Sequence, residues 1–246
     1  MIVANHLARA AGAAGLVIGL LGVDEEPDDL TVRLAQMAGF TIEQAEARDP
    51  KVLAEMGAAL AVLRIRLYDA RWTIDDAASD VAAWAKAEGR RGALFVDSLQ
   101  AASSVASAGA DTPRTIVEAN MAAVRVASAT HRLLTVTTSE ANRAAYRSED
   151  AAETGNDLAA GAESRAIEFG AQTQLMLRTP KDHPDVIHVR VSKNRRGDRG
   201  DFWLRLDRER HMVVECPKPG ECPEEQAERA AAERRANRRA VELDAR

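Results

Sequence analysis

Several groups of side chains in this sequence have types and spacings suited to chemistry on a charged ligand. Asp97 ends the apolar run Gly92–Val96, and Asp24, Glu25 and Glu26 follow another, Leu16–Val23. Ser139 follows a third run that ends at Thr138, and Glu140 comes next. A carboxylate at the end of a buried strand suits a hard cation, which takes oxygen ligands, and a carboxylate of this kind can also take a proton from water. Lys193 and Arg195 come after Ile187, Val189 and Val191 with one residue between them, so alternation lets both project the same way. A cation pair of this kind can neutralise an anionic group. Each feature also has a plain reading. Asp97, Ser139 and Glu140 would cap strand ends, acids before Pro27 would complement a helix dipole, and Lys193 with Arg195 would be a solvated turn.

These groups need a frame to hold them. Residues 1–15 read as the rear of a helix, with Val3, Leu7 and Ala10/Ala11 on one face and Gly12 and Gly15 at its end. Leu16–Val23 is continuously apolar, as suits a strand covered on both faces. Pro27 with Asp28 and Asp29 opens a helix to about Ala38. Residues 41–64 read as helix in two pieces, and Ile65–Tyr68 as a short strand. Thr73 caps a helix over about 74–88, and Pro113 opens one to about Ala129. Gly92–Asp97, Leu133–Thr138 and Gln172–Arg178 are further strands. Ile187–Val191 and Phe202–Leu206 alternate apolar with polar residues and form a closing hairpin. Residues 144–162 are small and polar and read as a loop. From Cys216 the composition changes to a proline-containing linker and then a charged, alanine-rich helix or disordered tail. The expected domains are therefore 1–215 and 216–246. Strands alternating with helices indicate an α/β fold with a mainly parallel sheet.

Bulk composition narrows the class. The chain has 246 residues, 46% hydrophobic and 29% charged, as a globular protein does. A net charge of −5 gives no global basic field, so contact with nucleic acid would be local. The two cysteines, Cys216 and Cys222, cannot make a four-cysteine zinc site and read as reduced thiols. No apolar run approaches the ~18 residues of a membrane span, and the first residues lack a signal-peptide pattern. The expectation is a cytoplasmic protein with no membrane partner.

The order of these pieces resembles the C-terminal motor domain of DnaB-type replicative DNA helicases, a RecA-like ATPase, over roughly residues 1–214. Leu30-Thr31-Val32-Arg33-Leu34 is similar to the helix after that family's second strand. Leu94–Gln100 is similar to its Walker B segment, and Thr138–Arg143 to the end of its third strand, where glutamine is commoner than Glu140. Glu163–Glu168 is similar to the segment before its next strand, and Lys193-Asn194-Arg195-Arg196-Gly197 to its finger motif.

The resemblance implies ATP and Mg²⁺ as cofactors, with Asp97 holding the cation through water. It implies that one of Asp24, Glu25 and Glu26 is the base for the attacking water; counting back from Leu30–Leu34 favours Asp24, and side-chain length favours Glu25. Ser139 and Glu140 would lie near the nucleotide, with Glu140 acting through water or DNA because it repels phosphate. Lys193 and Arg195 would act in trans on a neighbour's phosphate in a homo-oligomeric ring, a hexamer. Arg143, Arg147 and the 144–162 loop would face single-stranded DNA.

One departure stands against these matches. No G-x-x-x-x-G-K-[ST] occurs, nor any Gly-Lys pair. In the family that loop directly precedes the helix to which Met1 belongs, so the expectation is a chain incomplete at its N-terminus. The family's topology then puts the missing strand between Leu133–Thr138 and Gln172–Arg178, with a gap or a new pairing there. The alternatives are a pseudo-ATPase assembly or regulatory subunit, or a recombinase-like or clock-like ATPase of the same superfamily; the closing hairpin with Lys-x-Arg favours the helicase over the latter.

Overall fold

The most apolar runs form the middle of a sheet. In the computed structural model, which describes residues 2–47, 49–140 and 164–221, β1 (Val17–Gly22) and β3 (Gly92–Asp97) are buried along their whole length. They pair in parallel, and β2 (Ile65–Tyr68) and β4 (Leu134–Thr137) flank them in the order β2-β1-β3-β4. Parallel neighbours need crossovers, and helices supply them. These are α2 (Pro27–Met37), α3 (Ile42–Glu46) and α4 (Pro50–Ala61), then α5 (Ile74–Ala87), then α6 (Pro113–His131). Thr73 caps α5 by accepting from Asp76 N–H at 3.1 Å, as its position suggested.

Alternation along the central strands sends side chains to two layers. Val17, Leu21, Leu94 and Val96 face α5 and α6, against Val81, Val124 and Leu133. Ile18, Leu20, Ala93 and Phe95 face the other way, against Ala8 of α1 (Ile2–Ala13) and Leu30 of α2. Gly19 lies on the α5 face, where a Cβ would stand 2.4 Å from Val81 Cγ2; its hydrogen lets α5 come close.

After α7 (Ser164–Gly170) the chain builds a second, antiparallel sheet. Its strands are β5 (Thr173–Arg178), β6 (Val186–Asn194), β7 (Asp201–Asp207) and β8 (Met212–Cys216), in that order. Ile187, Val189 and Val213 make its small core, with Val3 of α1 packed on it. Helix α1 thus touches both sheets. Gln36 of α2 adds a polar tie, donating to the carbonyl of Glu209 in the β7–β8 turn at 2.9 Å.

The hairpin of β6 and β7 forms as its alternation predicts. Strand β8 is an addition that the sequence pattern did not reveal, and Cys216, read as linker, is its last residue. Its apolar residues Met212, Val213 and Val214 are consecutive, so no alternation marks them. The turn before it depends on His211 at φ 49, a conformation unusual for this residue type. Helix α7, read only as a segment before the next strand, is also new. Among the described residues, β4 and β5 belong to different sheets and share no ladder. Cys222 and the tail lie outside the described residues, as does the 144–162 loop.

Candidate functional site

In parallel α/β sheets, ligands gather at the carboxyl ends of the strands. Here the ends of β1, β3 and β4 are stitched together. Gly22 is in register with Asp97, and Val23 N–H donates to the Asp97 carbonyl at 3.0 Å. That places Asp24 beside the end of β3, where Ser98 Oγ donates to Asp24 Oδ2 at 3.2 Å. Asp97 is itself buried, and its Oδ1 accepts from Thr138 Oγ1 at the end of β4. Thr138 N–H donates to the Val96 carbonyl, and Leu99 N–H to the Thr138 carbonyl, both at 3.0 Å.

Among the three acids after β1, the geometry differs by residue. Asp24 is exposed and accepts from Ser98, the residue after Asp97. Glu25 is half-buried and bridges Arg33 of α2 at 2.5 Å, while its Oε2 is buried with no hydrogen-bond partner among the described residues. Glu26 is the N-cap position of α2. The structure therefore joins Asp24, not Glu25, to Ser98, the residue after Asp97.

Ser139 and Glu140 are exposed and held by a side chain that sequence reasoning did not single out. Gln100 donates through Nε2 to Ser139 Oγ at 2.9 Å and accepts from Glu140 N–H at 3.3 Å. A second unforeseen residue is Asn120, fully buried in α6. Its Nδ2 donates to the carbonyls of Leu99 and Ala102 at 2.9 and 2.6 Å, fixing the loop that follows Asp97. A signal for Asn120 was available: it is a polar residue on the stripe of Val117, Met121 and Val124. Gln100 gave none beyond its place three residues after Asp97.

Lys193 and Arg195 are not part of this constellation; no hydrogen bond or ion pair joins them to Asp24 or Asp97 among the described residues. Simple alternation would put Lys193 on the core face with Val189 and Val191. A bulge intervenes, since Leu175 pairs Val191 but Gln174 pairs Lys193, leaving Ser192 over. Lys193 is thereby turned to the opposite face. Its Nζ donates to the Glu168 carbonyl, and Arg195 Nη2 donates to the Phe169 carbonyl at 3.1 Å. Burial, and secondarily the Arg195 charge, hold the Lys193 ammonium below its usual range, with Glu168 opposing. Arg143 and Arg147 lie outside the described residues.

The donor set suits a hydrated hard cation. Asp97, Asp24 and the hydroxyls of Ser98 and Thr138 offer oxygen only, and the described residues hold no cluster of three or more His, Cys, Asp and Glu residues that would strip a metal of its water. Mg²⁺ bound through water is the case these residues fit.

No family model matches this chain, and no curated protein matches it. Solved structures do. A DnaB-like replicative helicase, studied with its interactions with primase, superposes with a TM-score of 0.71 at 16% identity, over 87% of this chain and 54% of that one. The separately solved ATPase domain of a second protein gives 0.71 at 16% identity, over 88% of this chain and 80% of that one. A KaiC-like protein from Pyrococcus horikoshii OT3 gives 0.52 at 16% identity, over 86% and 80%. The fold is thus the RecA-like α/β fold of DnaB-type helicase ATPase domains. The chain spans about half the length of the DnaB-like helicase it matches.

Proposed function

We propose that this chain is the motor part of an ATP-dependent helicase or translocase that moves along single-stranded DNA in replication, working in the cytoplasm as a homo-oligomeric ring, a hexamer. The observation that carries this reading is that Asp24 and Asp97 follow and end neighbouring parallel strands of a RecA-like sheet, with Ser98 bonded to Asp24. Asp97, oriented by Thr138, would hold the water shell of Mg²⁺. That cation would supply charge neutralisation at the phosphates. Asp24, exposed and beside Ser98, would take the proton of the attacking water. Glu25, tied to Arg33, is the less available base. Ser139 and Glu140, clasped by Gln100, would relate the nucleotide side to the segment beyond Glu140, where Arg143 and Arg147 would meet DNA phosphates. Lys193 and Arg195 would serve the site of a neighbouring copy.

A second reading is favoured by one sequence fact. No G-x-x-x-x-G-K-[ST] lies within these residues, so these residues alone supply no loop of that kind to cradle phosphate. A pseudo-ATPase subunit that lends its finger to a competent neighbour would look the same. One experiment separates the two. The chain alone, mixed with Mg²⁺, ATP and single-stranded DNA, is expected not to turn over. A version extended before Met1 by a strand and a G-x-x-x-x-G-K-T loop is expected to show DNA-stimulated hydrolysis that Asp97→Ala abolishes. An extended protein that binds nucleotide but never hydrolyses it would overturn the motor reading in favour of the pseudo-ATPase.

A further inference from the structure

Lys193 and Arg195 do not stand free. Both converge on the end of α7, where the last carbonyls of a helix lack intrahelical partners. The two donors come from one strand end and reach successive carbonyls, Glu168 and Phe169. The backbone reinforces the contact, because Arg195 N–H donates to the Gln172 carbonyl at 3.0 Å. The bulge at Ser192 is what aims Lys193 there. Helix α7 is itself seated on the main core: Ile167 packs into it, and Gly170 lies so near Met121 that a Cβ would stand 2.6 Å from Met121 Cε. Phe169, beside the contact, is 68% exposed, so the helix end is open to solvent.

We propose that the carbonyl end of α7 is a parking site that holds the Lys193–Arg195 pair in cis, and that a phosphoanion draws the pair off it. This rests on the reading of the pair as a finger for phosphate. The chemistry favours exchange. Two like charges one residue apart repel each other, the contacted carbonyls carry only partial negative charge, and the Glu168 carboxylate is one charge against two cations. A polyphosphate offers full charges with geometry suited to both arginine and ammonium. Release of the pair would also free the end of α7, which is the first described element after the segment proposed to face DNA. Finger position and helix position then change together.

The test needs no turnover. The full chain is labelled with fluorophenylalanine, whose four positions include Phe169, and the Phe169 resonance is assigned with Phe169→Leu. In the double variant Lys193→Ala/Arg195→Ala, the Phe169 resonance is expected to move while those of Phe40, Phe95 and Phe202 stay. Inorganic tripolyphosphate, at matched ionic strength, is expected to move the parent's Phe169 resonance saturably toward the double variant's position. In the double variant, tripolyphosphate is expected to leave the Phe169 resonance where it is. Lys193→Gln and Arg195→Gln singly replace the double variant if it fails to fold, each giving part of the shift. An unmoved Phe169 resonance in the variants overturns the proposal. So does tripolyphosphate that leaves the parent unchanged, or that acts equally on the variants. The motor reading stands or falls separately, on hydrolysis by the extended chain.

Discussion

Truncating Asn120 to alanine is the sharpest stability test of the loop behind Asp97. Its amide donates to two carbonyls, of Leu99 and Ala102, in residues almost without solvent contact. Alanine leaves both acceptors without a donor, at about 1–3 kcal/mol each. Part of this is returned, because Asn120 Oδ1 is already buried without a partner. The better helix propensity of alanine returns roughly 0.5 kcal/mol more. The net expectation is a loss of about 2–3 kcal/mol. For a chain of this size that lowers Tm by roughly 4–12 °C. Urea unfolding followed by circular dichroism measures the free-energy difference directly. Asn120→Asp keeps the shape but exchanges the donor for an acceptor, so it should be worse than alanine at neutral pH. An Asn120→Ala protein within about 0.5 kcal/mol of the parent would refute the claim that this side chain holds the loop.

Three further outcomes are expected. Gly19→Ala forces a methyl against Val81 and Tyr68 and should cost about 1–3 kcal/mol as overpacking, read from the urea midpoint; an unchanged midpoint would contradict the close approach of α5. Burial, then the Arg33 charge, lowers the His211 pKa from 6.5 to about 4. A folded pKa below the unfolded one gives stability that is present above 6.5 and lost as pH falls toward 4. His211→Asn, which tolerates the positive φ, should therefore flatten the decline in urea midpoint between about pH 7.5 and 5, and an equally steep decline would assign it to other groups. In the P-loop-extended protein, Arg195→Ala should cut hydrolysis by orders of magnitude with nucleotide binding retained. Mixing it with Asp97→Ala subunits should restore some activity, whereas no recovery in demonstrably mixed rings would place the finger in cis.

Much of the frame was legible because burial writes itself into sequence. The runs at Leu16 and Gly92 are apolar on both faces, and their neighbours carry proline, threonine and glycine where helices start and stop. The end of β3 at Asp97 followed from this, as did the acids placed after β1. What stayed hidden depends on contacts between distant residues. The clasp of Gln100 on Ser139 and Glu140 exists only once β3 and β4 are paired. The pairing of Glu25 with Arg33 depends on α2 bringing that arginine back to the end of β1. Alternation alone misplaces Lys193, because a bulge at Ser192 leaves no mark in residue types. Strand β8 lacks alternation and so gives no signal of its own.

The break between β4 and β5 has a mechanical consequence. Within each sheet, hydrogen-bond ladders run from strand to strand and make a stiff plate. Between the plates, load passes through the side chains of α1, with Ala8 against one and Val3 against the other, through the Gln36 tie to the β7–β8 turn, and through α7, which packs Ile167 on the main core and takes Lys193 and Arg195 from the second sheet. Side-chain contacts slide under shear, whereas ladders must be broken in register. The described part of the molecule is therefore two hydrogen-bonded plates joined by contacts of α1, α2 and α7 rather than by a ladder.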